Sequence, residues 1–252
     1  MKYIYGPVPS WRLGRSLGID LISTEKTCSF DCIYCQLGRT VRHIIKREIF
    51  VPISQIVSEL EKLPKLDVDY ITFSGTGEPT LAANLGEAII EVKKRFGSRV
   101  AVLTNSSLMH ESQVRKELGL ADLVVAKLDA PNEELFKLIN QPTNGISLRI
   151  IIEGIKRFNV EYPGKLALQI MFVPQNKKFA KDLAALAKEI NPIEVEINTP
   201  LRPCPIKPLS HEELSEIREL FKPLKVYSVY DVERPEVKPM DERETLKRRP
   251  EK

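Results

Sequence analysis

Short apolar, β-branched runs alternate with helical patterns along this chain of 252 residues. The strand-like runs lie at 16–22, 70–74, 99–105, 121–129, 166–173 and 193–198, and a last short strand is expected at 225–230. The helical patterns lie at 52–63, 85–96, 111–119, 132–139, 147–158, 177–190 and 210–221, where Ser210 is the expected N-cap. Strands that alternate with helices predict a parallel sheet with right-handed crossovers. Six units in about 220 residues fall short of a closed eightfold barrel, which typically needs about 250 residues, so they predict an α/β fold, a partial (β/α)6 TIM-like barrel of parallel strands that is open on one side.

In such barrels the chemistry lies on the loops that follow the carboxyl ends of the strands. Distinctive motifs follow all six predicted strands: the cysteine cluster, GTGEPT, TNSS, KLDA, PQN and NTPLRPCP, in that order. This distribution favours an enzyme whose site is assembled at one end of the barrel.

Three of the four cysteines, Cys28, Cys32 and Cys35, lie within eight residues in the pattern CxxxCxxC. Thiolates bind zinc and iron–sulfur clusters. A structural zinc site needs four ligands, usually in two close pairs, and neither His43 nor Cys204 completes that spacing. An ordinary 4Fe–4S electron-transfer cluster also uses four cysteines. Three cysteines would leave one iron open to another molecule, as in catalytic metal centres.

Other candidate residues lie at the ends of the later strands. Gly77, Glu78 and Pro79 form a glycine–acid turn that lacks the GK[ST] of a P-loop. Thr104 and Asn105 end the third strand, and Lys127 and Asp129 share one face of the fourth because they are two residues apart. Polar residues within apolar runs are Gln169 and Asn198. Three of these sets have a purely structural alternative: a tight turn for the glycine–acid segment, a helix cap or turn for Thr104 and Asn105, and satisfied core amides for Gln169 and Asn198.

Together with Tyr34 before the third cysteine, these features make the chain from about Tyr5 to Tyr230 resemble the radical S-adenosylmethionine (radical SAM) superfamily. The opening 6–20 and KTCSFDCIYCQLGRT resemble a small group of Fe–S oxidoreductases related to tRNA wyosine synthase, although the second cysteine triplet of its larger members is absent. The resemblance implies that Cys28, Cys32 and Cys35 hold a 4Fe–4S cluster. Its implied S-adenosylmethionine contacts are Tyr34, Gly77, Glu78, Pro79, Thr104, Asn105, Lys127, Asp129, Gln169 and Asn198. Thr76 replaces the first glycine of the family's GGEP turn, which holds the methionine amino group.

The family's reaction implies one-electron cleavage of S-adenosylmethionine to a 5′-deoxyadenosyl radical, which takes hydrogen from a substrate. The expected electron donor is a protein such as ferredoxin or flavodoxin. A tRNA base is the expected substrate, with Arg12, Arg15 and Arg39 as a basic rim around the site. The alternatives are a glycyl-radical-enzyme activase, which acts on a protein partner, and a non-catalytic Fe–S or zinc protein.

Composition adds weaker constraints. A net charge of +4 permits a phosphate-rich partner without requiring one. Because the chain has no apolar run of membrane-spanning length and no signal-peptide pattern at its start, we expect a cytoplasmic protein without a membrane partner. The barrel domain is predicted at 1–230. In the tail 231–252, 14 of 22 residues are charged and three are prolines, so it is expected to be partly extended or mobile.

Overall fold

The computed structural model describes residues 2–22 and 25–251 of the chain. Met1 and Lys252, the outer ends of the predicted domain and tail, lie outside the described residues. The strands are β1 Ile4–Ser10, β2 Gly14–Ile19, β3 Thr27–Cys28, β4 Arg42–His43, β5 Tyr70–Phe73, β6 Arg99–Thr104, β7 Leu123–Lys127, β8 Leu166–Met171, β9 Glu194–Asn198 and β10 Val226–Ser228. The helices are α1 Ile53–Leu60, α2 Leu85–Arg95, α3 Ser112–Leu118, α4 Glu133–Asn140, α5 Leu148–Glu161, α6 Ala180–Ile190, α7 His211–Leu220 and α8 Glu242–Arg248.

Eight strands form one curled sheet in the order β1-β2-β5-β6-β7-β8-β9-β10. Every neighbouring pair from β2 to β10 is parallel, whereas β1 pairs antiparallel with β2. The strands β1 and β10 are the two edges of the sheet, so the structure is a half-barrel. The predicted open, partial barrel of parallel strands is therefore confirmed, and β3 and β4 form a separate two-stranded sheet near the cysteines.

The alternation of side chains along each strand separates the helix-covered core from the barrel interior. Ile71 and Phe73 of β5 are fully buried in the core cluster, while Thr72 faces the interior cavity. The helices cover the outer face with apolar stripes, such as Leu85, Ala88, Ile89 and Val92 of α2. Ser210 caps α7 as expected, since its hydroxyl accepts from Glu213 N at 3.2 Å in a capping box. None of the described helices has the length and apolar character needed to cross a membrane.

Two elements, the strand β1 and the helix α8, were not expected from the sequence. The strand β1 contains Pro7 and Pro9, which cannot donate to a ladder, and its place at a sheet edge explains why they are tolerated. In the tail, α8 packs against β1, and Thr245 and Arg248 are buried. The tail was expected to be partly extended or mobile: residues 231–240 contain no helix or strand, whereas the expectation is wrong for α8, which is held by buried polar contacts that its low apolar content does not indicate. The domain boundary at residue 230 stays a prediction.

Candidate active site

The cysteine loop follows β2 and lies at the carboxyl end of the parallel strands. It is held by the segment that ends α4, since Asp31 N donates to Asn140 O and Ile33 N to Ile139 O, both at 3.0 Å. Thr143 N also donates to Ser29 O at 2.9 Å. Cys28, Cys32 and Cys35 are each partly buried. The loop is therefore fixed by backbone hydrogen bonds to a second segment of the chain.

Amide groups approach two of the three sulfurs. Asn105 Nδ2 lies 3.5 Å from Cys28 Sγ, and Asn140 Nδ2 lies 3.5 Å from Cys32 Sγ. Burial raises the pKa of the Cys28 thiol, and it raises the pKa of Cys32 to about 11. Such thiols lose their protons when a metal binds, and nearby N–H donors then stabilise the negative sulfur.

These observations test the fit of an iron–sulfur cluster to the loop. Within 2–22 and 25–251, no three His, Cys, Asp or Glu side chains are arranged as a formed metal site. The case for iron therefore rests on the donor set: three thiols on one short loop, with N–H donors beside two of them. That set fits the cluster that the family resemblance implies.

The glycine turn lies directly against the start of the cysteine loop. Glu78 N donates to Thr27 O at 3.2 Å, and a Cβ at position 77 would lie only 1.8 Å from that same oxygen. Gly77 is thus required by the close approach of two backbones. Pro79 begins the 3-10 turn Pro79–Leu81, for which Glu78 is the N-cap.

The buried carboxylate of Glu78 accepts four hydrogen bonds from the chain itself. Its Oε1 accepts from Thr80 N at 3.1 Å, Thr80 Oγ1 at 2.7 Å and Thr104 Oγ1 at 2.6 Å, and its Oε2 accepts from Asn105 N at 2.6 Å. Burial raises the pKa of Glu78, and these hydrogen bonds oppose that rise. The turn and the end of β6 are therefore joined through one side chain, and the predicted contact of Glu78 with the cofactor stays a prediction.

Lys127 and Asp129 lie beside Tyr34 at the end of β7. The Tyr34 hydroxyl donates to Asp129 Oδ2, which also accepts from Asn140 Nδ2 at 2.8 Å. Lys127 Nζ lies 3.7 Å from Asp129 Oδ1 and 4.8 Å from the centroid of the Tyr34 ring. Burial and then the charge of Asp129 raise the pKa of Tyr34. Tyr34 thus connects the cysteine loop to the strand ends, and the charged pair is satisfied locally.

The remaining two predicted cofactor residues lie inside the half-barrel. Asn198 lines an interior cavity of about 310 Å³, whose wall also includes Cys35 and Gly75. Gln169 is buried deeper and lies with its Nε2 3.4 Å from Glu196 Oε2. Gln169 is the register partner of Lys127 on the neighbouring strand and contacts the carboxylate of Glu196, and its predicted contact with the cofactor stays a prediction.

The three arginines predicted as a rim do not come together. Arg15 is at the amino end of β2, opposite the cysteine loop, where its guanidinium pairs with Asp69 at 2.9 Å and with Asp67. Arg12 lies in the β1–β2 turn with its Nε 3.3 Å from Glu196 Oε2. Arg39 is exposed and pairs with Asp31 at 2.8 Å. The expected rim is therefore wrong, because four different carboxylates hold these three side chains at three separate places in the fold.

Sequence reasoning missed Asn140 and Glu196. Asn140 is the last residue of α4, and nothing in the sequence around it distinguishes a residue that contacts Cys32 Sγ from an ordinary helix end. Glu196 had a signal: in IEVEIN, acidic residues alternate with Val195 and Ile197, so a carboxylate must face the barrel interior. Burial raises the pKa of Glu196 to about 7.

The fold and the site define an enzyme built on a half-barrel, with a thiol-rich loop at the carboxyl ends of its strands. The family model described as the radical SAM superfamily matches residues 22–188, and the chain belongs to this superfamily. Membership confirms the superfamily predicted from the cysteine motif.

Individual relatives agree with this assignment. The chain is 45% identical over 205 residues to a UPF0026 protein of Synechocystis sp., covering 81% of this chain and 77% of that protein. It is 38% identical over 231 residues to a UPF0026 protein of Methanocaldococcus jannaschii, with 88% and 71% covered. The solved structure of Streptococcus suis SuiB bound to precursor peptide SuiA has a TM-score of 0.65 at 15% identity, covering 86% of this chain and 49% of that one. At that identity the structural likeness shows the fold alone.

Proposed function

We propose that this enzyme cleaves S-adenosylmethionine reductively at a 4Fe–4S cluster held by Cys28, Cys32 and Cys35, and acts on a substrate in the barrel cavity. When bound, these groups would supply a 5′-deoxyadenosyl radical that removes a hydrogen atom from the substrate. The observation that carries the proposal is one contact: Asn105, at the end of β6, lies 3.5 Å from Cys28 Sγ while its backbone N–H is bound by Glu78. The cysteine loop, the glycine turn and a strand end thus share one site.

The chain's own residues have distinct roles in this proposal. Asn105 and Asn140 orient the sulfurs of Cys28 and Cys32 through their side-chain amides. Glu78 fixes the position of Asn105. Tyr34, through Asp129, keeps the loop against the strand ends and excludes water from that side of the cavity. Each of these residues positions the site rather than transferring a proton.

The substrate and the electron donor are further parts of the proposal. A ferredoxin or flavodoxin is the proposed electron donor, as the family resemblance implies. A tRNA base was expected from the group resemblance and the mild basicity of the chain, and the separation of Arg12, Arg15 and Arg39 removes the basic rim that was expected to bind it. We therefore place the substrate in the interior cavity of about 310 Å³, a volume typical of small-molecule sites.

The proposal is tested by anaerobic reconstitution with iron and sulfide, followed by reduction with dithionite or flavodoxin in the presence of S-adenosylmethionine. About four iron atoms per chain and production of 5′-deoxyadenosine are expected. Cys28→Ser, Cys32→Ser and Cys35→Ser should each abolish both results. Cys204→Ser is the matched control, because the Cys204 thiol donates to Ile206 O at 3.3 Å and is also partly buried. Equal loss of iron in the Cys204 variant would contradict the three-cysteine site.

A further inference from the structure

Three arginines line two adjoining cavities beside the proposed active site. The interior cavity of about 310 Å³ and a second cavity of about 320 Å³ are both lined by Arg202, Arg234 and Arg249. Arg202 follows β9, whereas Arg234 and Arg249 belong to the charged tail. Segments distant in sequence therefore bring three guanidinium groups to the boundary between two spaces.

These arginines differ from the others in the same wall. Arg12 is paired with Glu196 at 3.3 Å, and Arg248 with Asp20 at 2.8 Å. Across the described part of the chain, Arg202, Arg234 and Arg249 have no carboxylate within 4.0 Å, the distance that defines every ion pair found here. The acidic residue that shares their second cavity is Glu251. The three guanidinium groups thus lack the partners that the protein provides for their neighbours.

The electrostatic cost of this arrangement appears in the lowered pKa values of Arg202 and Arg249. Burial, and then the charges of Arg234 and Arg12, lower the pKa of Arg202 to about 10. Burial, and then the charge of Arg202, lower the pKa of Arg249 to about 9. Like charges that are brought together and partly desolvated destabilise a fold unless an anion offsets them. Such unfavourable clusters are characteristic of functional sites.

The cluster is connected to the cysteine loop. Arg202 Nη1 donates to Gln36 Oε1 at 3.0 Å, and Gln36 is the residue after Cys35. Cys35 and Gly75 lie in the wall of the same cavity. An anion at the arginines would therefore leave the rest of its molecule beside the proposed radical chemistry.

We propose that Arg202, Arg234 and Arg249 bind the phosphate, or another multiply charged group, of a small organic substrate whose remaining part occupies the interior cavity. Planar guanidinium groups match phosphate and carboxylate oxygens in bidentate hydrogen bonds. A small molecule fits better than RNA because the arginines line cavities of about 310 and 320 Å³. A polynucleotide would need an exposed basic groove along its backbone. The word substrate rests on the proposed function, but the binding site does not.

The test measures anion binding to the full chain without S-adenosylmethionine or reductant, so it is independent of radical activity. Inorganic pyrophosphate and tricarballylate are titrated by calorimetry and by thermal unfolding, against NaCl of equal ionic strength. At least one of the two probes should bind and raise the Tm. Stronger binding of pyrophosphate assigns a phosphate group, and stronger binding of tricarballylate a polycarboxylate. Arg202→Gln, Arg234→Gln and Arg249→Gln should each weaken binding roughly ten- to a hundredfold, the loss of one charge-assisted hydrogen bond.

A second readout separates binding from a structural role. Without anion, the Tm of Arg202→Gln and Arg249→Gln should be unchanged or higher, because mutual repulsion is relieved. Arg234→Gln is the variant least able to disturb folding, since Arg234 is exposed. Arg149→Gln is the control, because Arg149 is exposed and paired with Glu153 at 3.2 Å, and it should keep full anion binding.

Three results would overturn the proposal. One is the failure of both probes to bind the wild-type chain. Another is undiminished binding in the triple Arg→Gln variant. The last is tight, arginine-dependent binding of a 20-nucleotide RNA that neither pyrophosphate nor tricarballylate displaces, which would assign the cluster to a nucleic acid.

Discussion

At the scale of single residues, Glu78 joins more of the site than its place in a glycine turn suggests. One carboxylate accepts from the backbone and hydroxyl of Thr80, from the hydroxyl of Thr104 and from the backbone of Asn105. Asn105 in turn contacts Cys28 Sγ. The acidic residue of the turn is therefore a positioning residue for the loop, whatever it contributes to the cofactor.

We predict that Glu78→Ala lowers the free energy of unfolding by about 3 kcal/mol, since buried donors left without an acceptor cost roughly 1–3 kcal/mol each and some will relax. Urea denaturation of the chain without cofactor measures this change. Glu153→Ala is the control, because Glu153 is half-exposed and makes an ion pair of the surface type with Arg149. A Glu78→Ala variant as stable as that control would contradict the positioning role.

At the scale of elements, the helix α8 closes part of the half-barrel, although the sequence assigned this segment to a partly extended or mobile tail. Arg248 Nε donates to Asp20 Oδ2 at 2.8 Å, and Arg248 Nη2 donates to Lys2 O at 2.6 Å. Asp20 also accepts from Thr76 N at 3.1 Å. Through Asp20, the helix is therefore linked to the glycine turn of the site.

We predict that Arg248→Ala lowers the free energy of unfolding by roughly 3 kcal/mol, because removing one partner of a buried ion pair leaves the other charge buried. Arg243→Ala on the same helix should change it little, since Arg243 is exposed. Thermal and urea unfolding of both variants measure this difference in stability. Equal stability of the two would mean that the pair of Arg248 with Asp20 does not stabilise the docking of α8.

The elements differ in how far the sequence could predict them. The parallel strands were predictable because their short runs are mostly apolar or β-branched, as in YITF of β5 and LVVA of β7. The strand β1 was not, because IYGPVPS contains two prolines and reads as a loop. The helix α8 was not, because its charged pattern gives no sign that Arg248 is paired with Asp20, 228 residues away in sequence.

At the scale of the whole molecule, the sequence predicted which loops share an edge but not how side chains face each other across the barrel. The convergence of Cys28 and Glu78 followed from strand ends meeting at one edge. The separation of Arg12, Arg15 and Arg39 could not be predicted, because closeness in sequence does not show which way the side chains of a β-hairpin and its flanking loops point. The pairing of Arg12 with Glu196 joins the β1–β2 turn to β9 across the interior of the sheet.

This pairing predicts a pH dependence of the whole fold. Burial raises the pKa of Glu196 from 4.5 to about 7, and the charge of Arg12 limits the rise. Between these values the folded state binds more protons than the unfolded state, so stability decreases as the pH rises through this window. A difference of about 2.5 pH units at roughly 1.4 kcal/mol per unit corresponds to about 3 kcal/mol.

Wild type and Glu196→Gln should therefore be compared by urea denaturation at pH 5 and pH 7.5. The readout is the change of unfolding free energy between the two pH values, because the variant also leaves Arg12 without its carboxylate at every pH. Wild type should lose about 2.4 kcal/mol more than Glu196→Gln over this range, somewhat less than the full difference because the titration is incomplete at both pH values. Glu212→Gln is the control, since Glu212 is exposed and a hydrogen bond from Ser210 lowers its pKa, the opposite direction to the shift of Glu196. If Glu196→Gln and wild type lost stability equally, the carboxylate would be ionised throughout and the Arg12–Glu196 pair would be a full ion pair at both pH values.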